Sequence, residues 1–359
     1  MTVILLVGSG VFAPARGGRA EAQYRGKWVA VRLPLSRTVP RVRYFVTAAE
    51  MNVVASVQTM ITSVPTVTPG DEGPPGVDWI VEPTLERSAM ANLQQTVMRQ
   101  VASIVMGTGG FDTSWKTTVV VARTQEFIRQ SLERLGCNPD LSRTGGTFMM
   151  GATICGRHVV VSNLTGFLFL GSAGQAVTRE MESTREPLPG RIPYRYLLRT
   201  AGGLAHEFVH VWRAADLKGR VRGDEPLWFS EGLAEFWSGV GLVRTIGPHS
   251  YLDHHVLRVR DFADWKTRCT GRLADYRAPS PLSDGCEYHL GLMAVEYLYS
   301  TRAHLAATAG ALMRAEVHPT FADWFASEFG IPVDQFEAEA DAYIKAVRRA
   351  PGPRPGPGN

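Results

Sequence analysis

GGLAHEFVHVWR, residues 202–213, contains the pentad His206-Glu207-Phe208-Val209-His210 within a stretch patterned as one helix. Four residues advance a helix by about 400°, so His206 and His210 project from the same face, one turn apart. A single metal ion can bridge that spacing. Glu207 is rotated by about 100° from His206, which removes it from the ligand set but leaves it beside an open metal position, where it can act as a base. With nine histidines in 359 residues, the pentad arises by chance in roughly one such chain in a hundred. A metal site therefore needs a third ligand from elsewhere in the chain.

The next helix offers one. PLWFSEGLAEFWSG, residues 226–239, sets Glu231 and Glu235 one turn apart among Leu227, Trp228, Leu233, Phe236 and Trp237, which favour burial. Carboxylates in such company need partners: a metal would neutralise Glu231, and Glu235 could accept the second ring N–H of a ligating histidine and fix its tautomer. The plainer alternative is a solvated polar face carrying both glutamates. Two other ligand sources compete. Asp216 follows the pentad at the spacing of a metzincin third ligand, but Arg213 occupies the position where that pattern needs a glycine to turn the chain. Asp253, His254 and His255 in HSYLDHHVL could also supply a ligand, although no spacing rule favours them.

Together the two helices resemble the gluzincin zinc metallopeptidases, in which His-Glu-x-x-His on one helix is joined by a liganding glutamate on the next. The resemblance rests on HEFVH and on LWFSEGLAEF, which is similar to the Trp-x-x-Glu-Gly-x-x-Glu neighbourhood of that clan. It implies zinc held by His206, His210 and Glu231, with Glu235 behind a liganding histidine and Glu207 as general base. EYHLGLMAVEYLY, from Glu287, resembles the Tyr-x-x-Gly segment whose tyrosine stabilises the tetrahedral intermediate in gluzincin aminopeptidases, which points to Tyr288. A tyrosine that only fills the core is the alternative. The matching segments run from His206 to Gly291.

The resemblance further implies an α+β fold of zincin-like, two-lobe form, a small mixed sheet-and-helix lobe followed by a mostly helical one. The expected activity is zinc-dependent hydrolysis of peptide or protein substrates. The Gly-x-Met-Glu-Asn-like segment that anchors a free amine in the clan's aminopeptidases has no counterpart here, so an endopeptidase is expected. The rivals are a noncatalytic zinc-binding or scaffold protein of the same fold, and a zinc amide hydrolase acting on cell-wall or other non-peptide substrates. Glu207 argues against the scaffold, because a structural zinc site needs no base.

Composition sets outer bounds. A 359-residue chain that is 45% hydrophobic and 20% charged has ordinary globular composition. Its net charge of +4, with no basic run, gives no footprint for a nucleic-acid partner. Beyond the N-terminus no stretch approaches the roughly 20 apolar residues of a membrane span. The opening MTVILLVGSGVFAPARGGRAEAQ joins a short apolar run to Ala20-Glu21-Ala22, which resembles a signal-peptidase site before Gln23. Residues 1–22 are thus expected to be a signal peptide and the protein to be exported, although a positive start is missing and Arg16 and Arg19 interrupt the segment. Cys137 and Cys155 flank one turn-rich loop and Cys269 and Cys286 another, so two local disulfides would pin two loops. Four cysteines allow three pairings, and reduced thiols would fit a cytosolic chain.

Along the chain, KWVAVRLPL, RVRYFVTA and NVVASVQTMITSV are predicted strands, making residues 23–76 a strand-rich N-terminal segment that ends in the linker TPGDEGPPG, 68–76. The metallopeptidase domain is expected over residues 77–349. There, Leu85, Met90, Leu93, Val97, Val101, Ile104 and Val105 predict a helix stopped by GTGG at 107–110. TTVVVA (117–122) and RHVVVSN (157–163) predict strands, and TQEFIRQSLERL (124–135) a helix capped by Thr124. From Tyr194 the pattern is mostly helical, including HLAATAGALMRAE, FADWFASEFG and PVDQFEAEADAYIKAVRRA. Residues 350–359, ending in PGPRPGPGN, are expected to be a disordered tail.

Overall fold

GKWVA and VRYFVT, rich in β-branched and aromatic residues, form two antiparallel strands, β1 (Gly26–Ala30) and β2 (Val42–Thr47). The next segment departs from the expected strand: NVVASVQTMITSV lies in helix α1 (Ala48–Ser63) and its following residue. Thr47 and Glu50 form a capping box, the Glu50 carboxylate accepting from Thr47 N and Oγ1 (both 2.8 Å) while Thr47 Oγ1 accepts from Glu50 N (3.2 Å). Val53, Val54, Val57 and Ile61 recur at helical spacing and are buried. Burial of that face outweighs the strand preference of its β-branched residues.

This computed structural model describes residues 26–31, 42–63, 77–85, 89–107, 116–138, 150–154, 158–163, 198–216, 223–245, 250–260, 265–278, 285–302 and 318–355. Residues 1–22, the linker 68–76 and HLAATAGALMRAE fall outside them. After α1 come β3 (Val77–Val81), a 3₁₀ turn (Pro83–Leu85), α2 (Ala89–Gly107), β4 (Thr117–Ala122), α3 (Gln125–Arg134), β5 (Met150–Ile154) and β6 (His158–Asn163). Leu85 belongs to the turn, so α2 starts later than its apolar spacing predicts. Thr124 caps α3 by accepting from Phe127 N. β3, β4 and β6 run parallel, and β5 pairs antiparallel with β6, giving the order β3-β4-β6-β5 with β5 at an edge of the described sheet. Every residue of the inner strand β4 is buried, which explains the apolar run at 119–122.

A π-helical turn (Leu198–Gly202) leads into α4 (Gly203–Asp216), followed by α5 (Leu227–Thr245), α6 (Tyr251–Arg260), the short α7 (Trp265–Arg268), α8 (Cys286–Thr301), α9 (Phe321–Phe329) and α10 (Val333–Arg349). The fold is thus α+β, with small sheets and predominant helices. The tail expected to be disordered contributes a short strand, β7 (Arg354–Pro355), which pairs with β2, and the Arg354 guanidinium lies 4.1 Å from the Trp28 ring centroid. Backbone pairing and a cation–π contact outweigh the Pro/Gly bias there.

Two features of the helical part position the site. α5 and α8 touch backbone to backbone at Gly232 and Gly291: a Cβ added to Gly291 would stand 2.2 Å from the Trp228 carbonyl oxygen, and one added to Gly232 would stand 2.3 Å from the Gly291 carbonyl. Only glycine permits that approach. The start of α5 is anchored by Trp228 and Phe229, which pack with Phe321, Trp324, Phe325 and Phe336 of α9 and α10, and the Trp228 indole N–H donates to Glu337 (2.8 Å). A disulfide joins Cys269 to Cys286, the first residue of α8. Cys137 is also disulfide-bonded, while Cys155 falls outside the described residues. Such bonds form in oxidising compartments. Among the described residues no helix is long and apolar enough to cross a membrane.

Candidate metal centre

α4 runs through the core. From Leu204 to Arg213 every residue is buried except Glu207 and His210, which are partly exposed. Between Leu204 and Arg213 the helix therefore opens toward solvent only within the pentad. α5 faces it with Glu231 and Glu235, whose side chains are only 14% and 17% exposed, which rules out a solvated polar face.

Three ligand atoms converge. His206 Nε2 lies 3.0 Å from Glu231 Oε2 and 3.0 Å from His210 Nε2, and His210 Nε2 lies 3.3 Å from Glu231 Oε2. Tetrahedral zinc with bonds of about 2.0 Å has ligand atoms about 3.3 Å apart, so the three atoms match one face of such a polyhedron. Among the described residues this is the one group of histidine, cysteine and carboxylate side chains able to hold a metal ion. The donor set fits zinc in its catalytic form, two imidazoles and one carboxylate.

The electrostatics favour a cation at the same point. Burial works against a charge on His206, yet Glu231 and Glu235 outweigh it and push its pKa up to about 10. Burial likewise disfavours the Glu231 carboxylate, but His206 and His210 hold it down to about 2. Behind the ring, His206 Nδ1 stands 3.4 Å from Glu235 Oε1. That is an ion-pair contact rather than a well-aligned hydrogen bond, since the ring nitrogen otherwise has no partner of good geometry. When a metal takes the place of the Nε2 proton, a carboxylate there favours keeping the remaining proton on Nδ1, which turns the Nε2 lone pair toward His210 and Glu231.

Glu235 is itself held. Burial opposes its charge, while Arg258 of α6 and His206 keep it below the ordinary carboxylate range. Arg258 Nε (3.0 Å) and Nη2 (2.9 Å) both donate to Glu235 Oε2, and Nη1 lies 3.0 Å from His289 Nδ1 on α8. The Tyr288 ring sits 5.6 Å from that of His206 at 37°. Burial, then the carboxylates of Glu231, Glu287, Glu207 and Glu235, raise the Tyr288 pKa well above its ordinary value, so its hydroxyl remains a donor.

Of the competing ligands, Asp253, His254 and His255 are engaged elsewhere. α4 continues unbroken through Asp216, without the sharp turn a metzincin site requires. Arg213, in place of the glycine, is buried, paired with Glu225 and Ser230 Oγ (3.2 Å), and ties the end of α4 to α5. Asp253 accepts from Ser250 N and Oγ at the start of α6. The His254 ring packs on Tyr251. His255 bridges two buried carboxylates, Nδ1 to Glu296 Oε2 (2.9 Å) and Nε2 to Glu50 Oε1 (3.4 Å), and the Tyr251 hydroxyl donates to Glu296 Oε1 (2.8 Å).

Arg258 and His289 escape a motif search because no fixed offset links them to the pentad. The available signal is subtler: Tyr251, His255 and Arg258 repeat at helical spacing in YLDHHVLRVR and all three are buried, a polar stripe turned inward. No known family model, curated protein or solved structure matches this chain.

Proposed function

We propose that this protein is an exported zinc metallopeptidase of gluzincin type, with the sheet and α4 in a small lobe and the later helices in a second, and that it cleaves within peptide chains. The observation carrying the proposal is the triangle of His206, His210 and Glu231 at 3.0–3.3 Å, beside the partly exposed Glu207 of α4. When bound, zinc supplies a Lewis acid that polarises a carbonyl and makes an attacking water acidic near pH 7.

The chain's own residues supply the rest. Glu207, partly exposed on the open side of α4, takes the water proton and delivers it to the leaving amine. Tyr288, kept protonated, donates to the developing oxyanion, an interaction worth about 3 kcal/mol in comparable sites. Glu235 orients His206. β5, at an edge of the described sheet, packs near α4, which supports a peptide substrate aligned along that strand. The disulfides support export.

The test is metal content per chain by mass spectrometry for wild type, Glu231→Ala and Glu207→Gln, with hydrolysis of a mixed peptide library compared with cell-wall fragments. One zinc should be retained by wild type and Glu207→Gln and lost from Glu231→Ala. Peptide hydrolysis should fall by about 10²–10⁴ in Glu207→Gln. A wild type that binds no added zinc refutes the metal centre, and a zinc-loaded wild type whose activity is unchanged by Glu207→Gln refutes the mechanism.

A further inference from the structure

We propose that Arg258 is a positioning residue for the metal centre, acting on His206 through Glu235 and so setting the affinity for metal. The inference rests on the metal-centre assignment above, and Arg258 itself touches neither ligand atoms nor substrate. Its guanidinium directs Nε and Nη2 onto a single oxygen, Glu235 Oε2. The fork pins Oε2 and leaves Oε1 toward His206 Nδ1. Glutamate has several rotatable bonds, and a carboxylate free to turn would hold an imidazole in no particular direction. The third nitrogen, Nη1, reaches His289 Nδ1, next in sequence to Tyr288, and the His289 ring stacks on Trp265 at 6.4 Å and 18°. One buried guanidinium thus links the carboxylate behind His206 to the helix bearing Tyr288.

The competing explanation is a plain ion pair that fastens α6 to α5. Buried pairs are a poor source of net stability compared with well-packed apolar groups, because two charges must leave water. A merely fastening pair would also be indifferent to metal. Positioning makes a distinct demand: the effect of changing Arg258 must pass through Glu235 and disappear when the Glu235 charge is gone.

The experiment measures zinc affinity by chelator competition for wild type, Arg258→Lys, Arg258→Gln, Glu235→Gln and the double variant Arg258→Lys/Glu235→Gln, with melting of each metal-free protein alongside. Lysine keeps a positive charge near Glu235 but cannot form the fork. Arg258→Lys is expected to bind zinc about tenfold more weakly, the lower end of the range for residues that orient ligands, and to add no further loss to Glu235→Gln. Unchanged zinc affinity in both Arg258 variants, or losses that multiply in the double variant, would overturn the proposal. Collapse of both Arg258 variants in the metal-free form would overturn it in favour of the fastening pair. Failure of wild type to bind zinc would instead remove the metal centre, an outcome read before any variant is compared.

Discussion

Gly291→Ala tests the link between the helix crossing and the site. The new Cβ would stand 2.2 Å from the Trp228 carbonyl oxygen and 3.0 Å from Gly232 Cα and N, whereas ordinary contact starts at 3.4 Å. The obstructing atoms are backbone of the first two turns of α5, so no side chain can swing aside. α5 and α8 must separate by about 1 Å, or one of them must bend, and overpacking of this kind costs about 1–3 kcal/mol. The upper end is expected because both helices are clamped, α5 by its aromatic anchor and α8 by the Cys269–Cys286 disulfide. Urea denaturation of the metal-free protein should show a lower midpoint with the slope nearly unchanged. Peptide turnover should fall more than zinc affinity, because the separation moves Tyr288 away from ligands held on α4 and α5. A midpoint shift worth less than about 0.5 kcal/mol, the ordinary scatter of innocuous surface substitutions, would refute the claim that the crossing is filled backbone to backbone.

Replacing Cys269 and Cys286 by serine opens a loop with a sequence separation of 17, which by chain entropy should lower stability by about 3 kcal/mol; turnover should again suffer more than zinc affinity, and equal losses in both would contradict the assigned role of α8. His255 makes a pH prediction. Burial lowers its pKa, but Glu296 and Glu50 outweigh this and push it up to about 9 from 6.5. Because the folded value is the higher one, the stabilisation is complete below about pH 6.5, declines as pH rises and is lost above pH 9, for a total of about 3 kcal/mol. Denaturation midpoints of wild type and His255→Gln should converge between pH 7 and 10, and parallel profiles would show that the bridge carries no such charge.

The parts of the site visible in sequence are those fixed by helical periodicity. His206 with His210, and Glu231 with Glu235, are each one turn apart, so local spacing predicts which side chains share a face. That these two faces meet depends on the packing of α4 on α5, tied by Arg213 to Ser230, and that Tyr288 joins them depends on the Gly232–Gly291 crossing, nonlocal contacts that the spacing alone does not show. Arg258 and His289 lie on elements related to the pentad only through tertiary packing, and no offset announces them. α1 was hidden by its own composition, since Val53, Val54, Val57 and Ile61 favour strands, although Thr47-x-x-Glu50 carries a helix-start signature. β5 was hidden among glycine and methionine, and the β3-β4-β6-β5 order arises from distant pairings that periodicity does not encode.

The Glu50–His255–Glu296 bridge bears on how the molecule comes apart. All three side chains have no solvent exposure and belong to three different helices, α1, α6 and α8. Release of α1 would take Glu50 away and leave His255 paired with Glu296 alone. Docking of α1 and the proton on His255 therefore favour each other, which couples the segment that precedes the proline- and glycine-rich stretch to the helices that carry the site.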